Sequence, residues 1–388
     1  MSIQEPAPIV GAAVDAETGP APLLFSGGSA LKGLSHALTR VTHNSIHLLT
    51  PFDSGGSSAA LRRAFAMPSV GDLRSRLLVL ADATAAGHAA VYQLLNRRLP
   101  QQARDAELEA ELLALARGDH PLLTTIPGAA RQILREHMVY FADAMPEGFD
   151  LRGASIGNLV LCGGYLHHGR RLDPVVSLLS RLAGVRGRVR TICEADLHLG
   201  VELANGEVVL GQHLITGKEA EPLGSPIKRL FLSRSLLEPE PATARVDPVS
   251  EALIAKADVI CYPPGSFYSS LLANLLPQGV GRAIAANDCA KVYVPNRGHD
   301  PEQIGMQARW QVSELLACLQ ADVAAGTTVD RLLDSLLVES QDKVWQDPGM
   351  EKWLREQGIE LLVRPLVSDH SAPYYDPRLL ARALLELA

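Results

Sequence analysis

Asp53-Ser-Gly-Gly-Ser-Ser58 packs one carboxylate, two glycines and three hydroxyls into six consecutive residues. This is the composition of a turn that approaches an anionic ligand closely. Gly55 and Gly56 lack a Cβ and let the backbone turn tightly. Ser57 and Ser58 can open the helix that follows, whose exposed N–H groups favour a bound anion. Asp53 suits two tasks. It can hold a Mg²⁺ that bridges phosphate oxygens, or act as a general base on an attacking hydroxyl. A third, plainer reading is that it caps its own turn. The pattern recurs once upstream as Ser26-Gly-Gly-Ser29, with Gly27 and Gly28 at its centre. Neither turn is a P-loop or a GxGxxG fingerprint. Both could be simple βα turns, but such turns seldom need paired glycines with flanking hydroxyls twice.

The elements around these turns follow from hydrophobic pattern. Pro22–Phe25 and Ile46–Thr50 are short apolar runs that read as buried strands, with a helical stretch over Ala30–Arg40 between them. A long helical region is expected from Ser57 through Asp72 to Arg98, and an all-helical insert over about 100–150. Ser155–His168 reads as a helix opening near Asn158. Leu197–Leu203, Asn205-Gly206 and Val208–Leu210 read as a β-hairpin, and Ile227–Leu232 as a further strand. Ala257–Tyr262 is a strand leading into a third turn, Pro263-Pro-Gly-Ser266. A helix carrying Ser269, Ser270 and Asn274 follows it. Lys291–Asn296 is a strand ending at a polar residue, Asn296. Helices are expected over 302–319 and 327–338, a strand near Glu360–Arg364, and a last helix from Asp376. The alternation predicts a three-layer, Rossmann-like α/β/α fold with a mostly parallel sheet, a helical insert and a small β-hairpin region. Residues 1–20 read as a flexible leader, and 21–388 as one α/β domain. Three glycine turns on one sheet edge would suit a ligand with several phosphates, such as a nucleoside diphosphate. Gly265 and Ser266 would supply the third of them.

Composition narrows the classes. The chain has 388 residues, a formal net charge of −7 and 47% hydrophobic residues. An acidic balance argues against nucleic acid as a partner, which needs clustered positive charge. No apolar run reaches the length of a membrane span, and the first twenty residues lack signal-peptide character. The five cysteines show no CxxC spacing, and their odd number fits a reducing, cytoplasmic setting. His43 and His47 flank a strand start, while His167 and His168 are adjacent, so neither pair has metal-ligand spacing. No GxSxG elbow is present, and covalent catalysis is not expected.

The ordered blocks resemble one family, the CofD/YvcK superfamily of 2-phospho-L-lactate transferases and gluconeogenesis factors. Ser26-Gly-Gly-Ser29 corresponds to the family's Gly-Gly-Thr-Gly, and Asp53-Ser-Gly-Gly-Ser-Ser58 to its Asp-Asp-Gly-Gly-Ser-Ser. Gly71-Asp-Leu-Arg74 and Gly157-Asn158 match two further blocks, and Pro264–Leu276, preceded by Asp258, a last one. The resemblance runs from about Leu23 to Asn296 and is expected to continue to the C-terminus. It implies a nucleotide or nucleotide-sugar ligand across the loops, with site roles for Asp72, Arg74 and Asn158. The transferase branch moves a phospholactyl group from a guanosine-diphosphate carrier to a deazaflavin hydroxyl with Mg²⁺. The other branch binds a UDP-sugar. The chain keeps one acid of the Asp-Asp pair and has Ser29-Ala30 for Thr-Gly. Its helical insert resembles the gluconeogenesis-factor side and a bacterial CofD-like branch found beside an ATP-grasp protein. The ligand-binding set is therefore Gly27, Gly28, Ser29, Ser54, Gly55, Gly56, Ser57, Asp72, Arg74, Asn158, Gly265, Ser266, Ser269, Asn274 and Asn296, with Asp53 as catalytic or Mg²⁺-holding residue. Three functions fit it: a nucleotide-binding or regulatory protein, a Mg²⁺-dependent transferase, and a non-catalytic partner of an ATP-grasp enzyme. The apolar C-terminal helices leave room for a homodimer surface.

Overall fold

The computed structural model describes residues 16–27, 31–217 and 221–388. Seven strands form one parallel sheet: β1 (Pro22–Ser26), β2 (Ile46–Leu49), β3 (Arg188–Thr191), β8 (Val259–Tyr262), β9 (Ala290–Tyr293), β10 (Ser335–Glu339) and β11 (Glu360–Arg364). Their order is β11-β10-β9-β8-β1-β2-β3. Because every pairing is parallel, all seven strands end on one edge. A second, antiparallel sheet has the order β5-β4-β6-β7, built from β4 (His198–Leu203), β5 (Val208–Leu210), β6 (Ile227–Ser233) and β7 (Pro241–Ala242). The expected hairpin is its β4–β5 arm, and Ile227–Leu232 is its neighbour.

Alternation along the strands separates two cores, since successive side chains leave opposite faces. Leu23 and Phe25 of β1 pack with the antiparallel sheet and the later helices. Leu24 turns the other way, toward the helix α1 (Lys32–Leu38) and the C-terminal helix Pro377–Leu385. A third core belongs to the helices: α2 (Gly56–Phe65), α3 (Gly71–Leu80), α4 (Ala86–Asn96), α5 (Asp105–Arg117), α6 (Pro121–Thr124), α7 (Gly128–Ala144), α8 (Ile156–His167) and α9 (Leu172–Leu182). The insert is thus helical, as its apolar spacing predicts.

Two expectations change. The single helical region from Ser57 to Arg98 is three helices. α2 ends at Ala66, which takes the left-handed conformation (φ 46°) two residues before Pro68. α3 ends at Ala81, where the backbone becomes extended. The helix expected over 327–338 is instead a single 3-10 turn, Val329–Arg331, followed by β10. Leu332, Leu333, Leu336 and Leu337 have helical spacing, but every residue of β10 is buried. A strand covered on both faces loses the alternation that would mark it. Of the expected leader, residues 16–20 lie against the β1–β2 connection. Asn44 Nδ2 donates to the carbonyls of Glu17 and Gly19, and Thr42 Oγ1 to that of Pro20. Residues 1–15 lie outside the described residues.

Candidate functional site

The sheet order sets β8, β1 and β2 side by side, so the three glycine turns that follow them are neighbours. A cleft of ≈ 420 Å³ opens there. Asp53, Gly55, Gly56, Ser57, Asp72, Arg74, Asn158 and Ser266 line it, all expected from the sequence. Lys32, Ser58, Gly71, Ser75, Arg98, Gln212, His213, Thr216 and Ser270 line it too, and were not expected. Gly28 and Ser29 lie outside the described residues. A larger hollow of ≈ 810 Å³ lies beside β6, lined by four leucines and by charged residues such as Arg282, Glu314 and Asp322, with none of the glycine turns.

The second turn carries the open end of a helix. Gly55 is the N-cap of α2, a residue with no side chain of its own to cap the first turn. Asp53 Oδ1 accepts the Gly55 N–H at 3.0 Å, and Gly56 has φ +50°, a conformation glycine adopts without strain. The N–H groups of a helix's first turn and the helix dipole favour an anion at this point. Beneath the turn, Arg62 is buried. Its Nη1 donates to the carbonyls of Phe52 and Asp53, its Nη2 to Leu197 O at 2.6 Å, and both Nε and Nη2 to Asp196 Oδ1. Gly71, at the start of α3, lets that helix sit against Ser58 and the Asp53 carboxylate.

Arg74, Asn158 and Ser57 form a chain across the cleft wall. Arg74 Nε donates to Asn158 Oδ1 at 2.9 Å, and Asn158 Nδ2 donates to Ser57 Oγ at 3.0 Å. Ser57 thus keeps its hydroxyl hydrogen for a ligand. Gly157 makes the contact between α3 and α8 feasible, since a Cβ there would overlap Arg74 and the Leu95 carbonyl. Burial, with the nearby Arg98 cation, pulls Arg74 down to about 10, so it remains charged at neutral pH.

The first turn is braced from below. Arg76 is 1% exposed and donates through Nη2 to Gly27 O at 2.9 Å and through Nη1 to Leu31 O and Ser35 Oγ. Gly27 lies so close to Ser270 that a Cβ would overlap its side chain. Asn274 Nδ2 donates to Ser26 O at 3.1 Å and Ser270 O at 2.8 Å. Gly27 and Asn274 therefore shape the turn and do not line the cleft.

The third turn differs from the second. Phe267–Leu272 is a π-helical segment, and carboxylates already occupy the backbone donors at its start. Asp300 Oδ2 accepts from Phe267 N, and Glu302 Oε2 accepts from Tyr268 N and Ser269 N. Ser269 Oγ donates to Glu302 Oε1 at 2.5 Å. No anion cradle remains in those N–H groups. This turn reaches the cleft through Ser266 and Ser270. Ser269 faces Glu302, and Asn296 donates to the Gly265 carbonyl at 3.4 Å. Ser54 also lies off the cleft lining, against His213.

The sequence profile described as 2-phospho-L-lactate transferase CofD matches residues 23–366. The chain belongs to the CofD family. It is similar to the gluconeogenesis factor of Bacillus subtilis (strain 168), 26% identical over 325 residues that cover 82% of this chain and 78% of that protein. A putative gluconeogenesis factor of Thermoanaerobacterium thermosulfurigenes is 31% identical over 302 residues, covering 76% of this chain and 74% of its own. The crystal structure of a UPF0052-family protein from Bacillus halodurans shares the fold, with a TM-score of 0.66, 24% identity and coverage of 95% and 99% of the two chains.

Within this CofD-family frame, sequence reasoning reached Arg74 but not Lys32, Arg98, the bracing arginines beneath the turns or the antiparallel-sheet side of the cleft. Arg62 and Arg76 carry no local motif. Their partners at Asp196 and Gly27 lie 134 and 49 positions away. His213 and Thr216 sit on α10 (Gln212–Ile215) and its C-cap, just past the predicted hairpin. Burial raises the described thiols, Cys289 to about 11, Cys193 and Cys318 to about 12, and Cys162 and Cys261 further. Among the described residues no group of three or more His, Cys, Asp or Glu could hold a metal ion. A Mg²⁺ at this cleft fits only as a shared ion, on Asp53 and ligand phosphates, as Mg²⁺ is commonly bound.

Proposed function

We propose that this CofD-family protein binds a nucleoside diphosphate or nucleotide-sugar in the cleft, in a binding or regulatory role. The observation that carries the reading is the glycine start of α2 at the cleft, with Gly56 at positive φ and Lys32, Arg74 and Arg98 lining the same cleft. A diphosphate there meets oriented N–H groups and three cations in one place. Asp53 holds the turn through Gly55 and, with the ligand's phosphate oxygens, would hold Mg²⁺, which neutralises diphosphate charge when bound. The Ser57 hydroxyl, fixed by Asn158, donates to a phosphate oxygen. Ser266 and Ser270 contact the ligand from the third turn.

A second reading is a transferase acting on a phosphorus-containing group, supported by the family's description and by Asp53 at the cleft. The residues then position an acceptor hydroxyl against phosphorus and stabilise charge, which is most of what such transfers require. A role as an ATP-grasp partner moves forward only if no nucleotide binds.

Thermal shift against GDP, UDP and UDP-glucose, with and without Mg²⁺, tests the proposal. A ligand at 100 times its dissociation constant adds about 2.7 kcal/mol of stability. In an Asp53→Asn variant the side-chain amide oxygen still accepts the Gly55 N–H, so folding is kept while the carboxylate charge is lost. The expected result is a nucleotide shift whose Mg²⁺-dependent part disappears in that variant. Consumption of nucleotide with an added hydroxyl acceptor would select the transferase reading. No shift with any nucleotide would overturn both.

A further inference from the structure

The antiparallel sheet brings one histidine to the cleft, and its ring is held on one edge. Ser54 Oγ lies 2.7 Å from His213 Nδ1 and accepts the His213 backbone N–H at 3.3 Å. The serine has one hydrogen to give, and in the arrangement we take up it donates that hydrogen to Nδ1, the unprotonated nitrogen. A neutral imidazole so held carries its proton on Nε2. Gly211, at φ +105°, lets the ring fold back over the chain. A Cβ there would stand 2.8 Å from His213 Cε1 and 3.0 Å from Nδ1. The geometry therefore needs Ser54 on one side and a glycine on the other.

Nε2 has no hydrogen-bond partner among the described residues. Nor does it fall among the buried polar atoms left unpaired, where Nδ1 of His47, His137 and His198 is found. It is open to solvent on a residue that lines the cleft. The anchor, Ser54, directly precedes Gly55, the N-cap of α2. The ring is thus tethered to the residue that precedes the N-cap, and His213 lines the same cleft as Gly55 and Gly56.

We propose that His213 contacts the ligand directly, donating its Nε2–H to a phosphoryl oxygen, with Ser54 and Gly211 as positioning residues. This rests on the nucleotide reading above. It gives the second sheet a function: it carries α10 to the cleft as a wall that contacts ligand.

The test combines titration calorimetry with ¹⁵N-histidine NMR on the full chain, using GDP and UDP-glucose with Mg²⁺ as probes. His213→Gln places an amide donor where Nε2 was, and should keep affinity within about threefold. His213→Asn ends short of that position and should lose about tenfold or more, as for one hydrogen bond to a charged group. The His213 resonances, assigned by their absence in His213→Gln, should show an Nε2–H tautomer that becomes mixed in Ser54→Ala. Nucleotide should shift the Nε2 signal. Binding by the wild-type protein, with equal affinity in His213→Asn and an unmoved Nε2 signal, overturns the ligand contact alone. A tautomer unaffected by Ser54→Ala overturns the positioning role. Failure of the wild-type protein to bind either nucleotide overturns the underlying reading and this contact with it.

Discussion

Arg62 ties the second glycine turn to the strand connection beside it, and removing its head group should cost both stability and ligand affinity. Its side chain is 3% exposed, against 33% for that of Asp196. Arg62→Met keeps most of the apolar stem and deletes the donors. Three backbone carbonyls, of Phe52, Asp53 and Leu197, then lose their partner. Each costs about 1 kcal/mol or more when left unsatisfied. The ion pair, half open to water, adds about 0–1 kcal/mol. The expected loss is about 3–4 kcal/mol, a large part of the roughly 5–15 kcal/mol that holds a typical domain together. Arg62→Lys should fall between the two, since one ammonium cannot reproduce a fork aimed at four acceptors. Urea unfolding reads this as a lower midpoint at unchanged slope. Nucleotide affinity should drop further than the stability loss explains, because the Asp53 carbonyl is one of the anchors. An Arg62→Met variant within about 1 kcal/mol of wild type, with unchanged affinity, would refute the view that this arginine sets the turn.

Two other perturbations follow from the same geometry. Gly157→Ala drives a Cβ into Arg74 and the Leu95 carbonyl. It should destabilise by about 1–3 kcal/mol and weaken nucleotide binding by breaking the Arg74–Asn158–Ser57 chain, both readable by melting and calorimetry. Burial and the neighbouring Asp300 push Glu302 up to about 7, above the ordinary carboxylate range. The folded state therefore holds a proton that the unfolded state releases at lower pH. Stability from this group is full below the unfolded carboxylate value and is lost as pH rises through about 7. Glu302→Gln, which mimics the protonated acid, should flatten the urea midpoint between pH 5 and 7.5; an unchanged slope over that range would contradict the assignment.

Much of the fold was legible because its strands are short apolar runs punctuated by glycine turns, as at Pro22–Ser26, Ile46–Leu49 and Val259–Tyr262. The same burial hid β10, where leucines covered on both faces imitate helical spacing. At the cleft, residues inside motifs were readable: Asp53, Gly55, Gly56, Ser57, Asp72, Arg74, Asn158 and Ser266. What stayed hidden depends on contacts distant in sequence. Asp300 and Glu302 satisfy the start of the π-helical segment Phe267–Leu272 from 33 and 34 positions away, so a turn that looks like a phosphate cradle has its donors filled. Ser54 has a hydroxyl suited to a ligand, yet it holds His213, 159 positions away. Local pattern shows which groups could bind an anion, and only the folded chain shows which of them are already occupied.

The most direct test of the central claim is calorimetric titration of the full chain with GDP and UDP-glucose in Mg²⁺, alongside Lys32→Ala. Lys32 is exposed and lines the cleft, so its removal should leave the melting temperature unchanged. The account predicts saturable binding of at least one nucleotide at one site per chain, weakened by about tenfold in the variant. Absence of binding, or binding indifferent to Lys32, would contradict it.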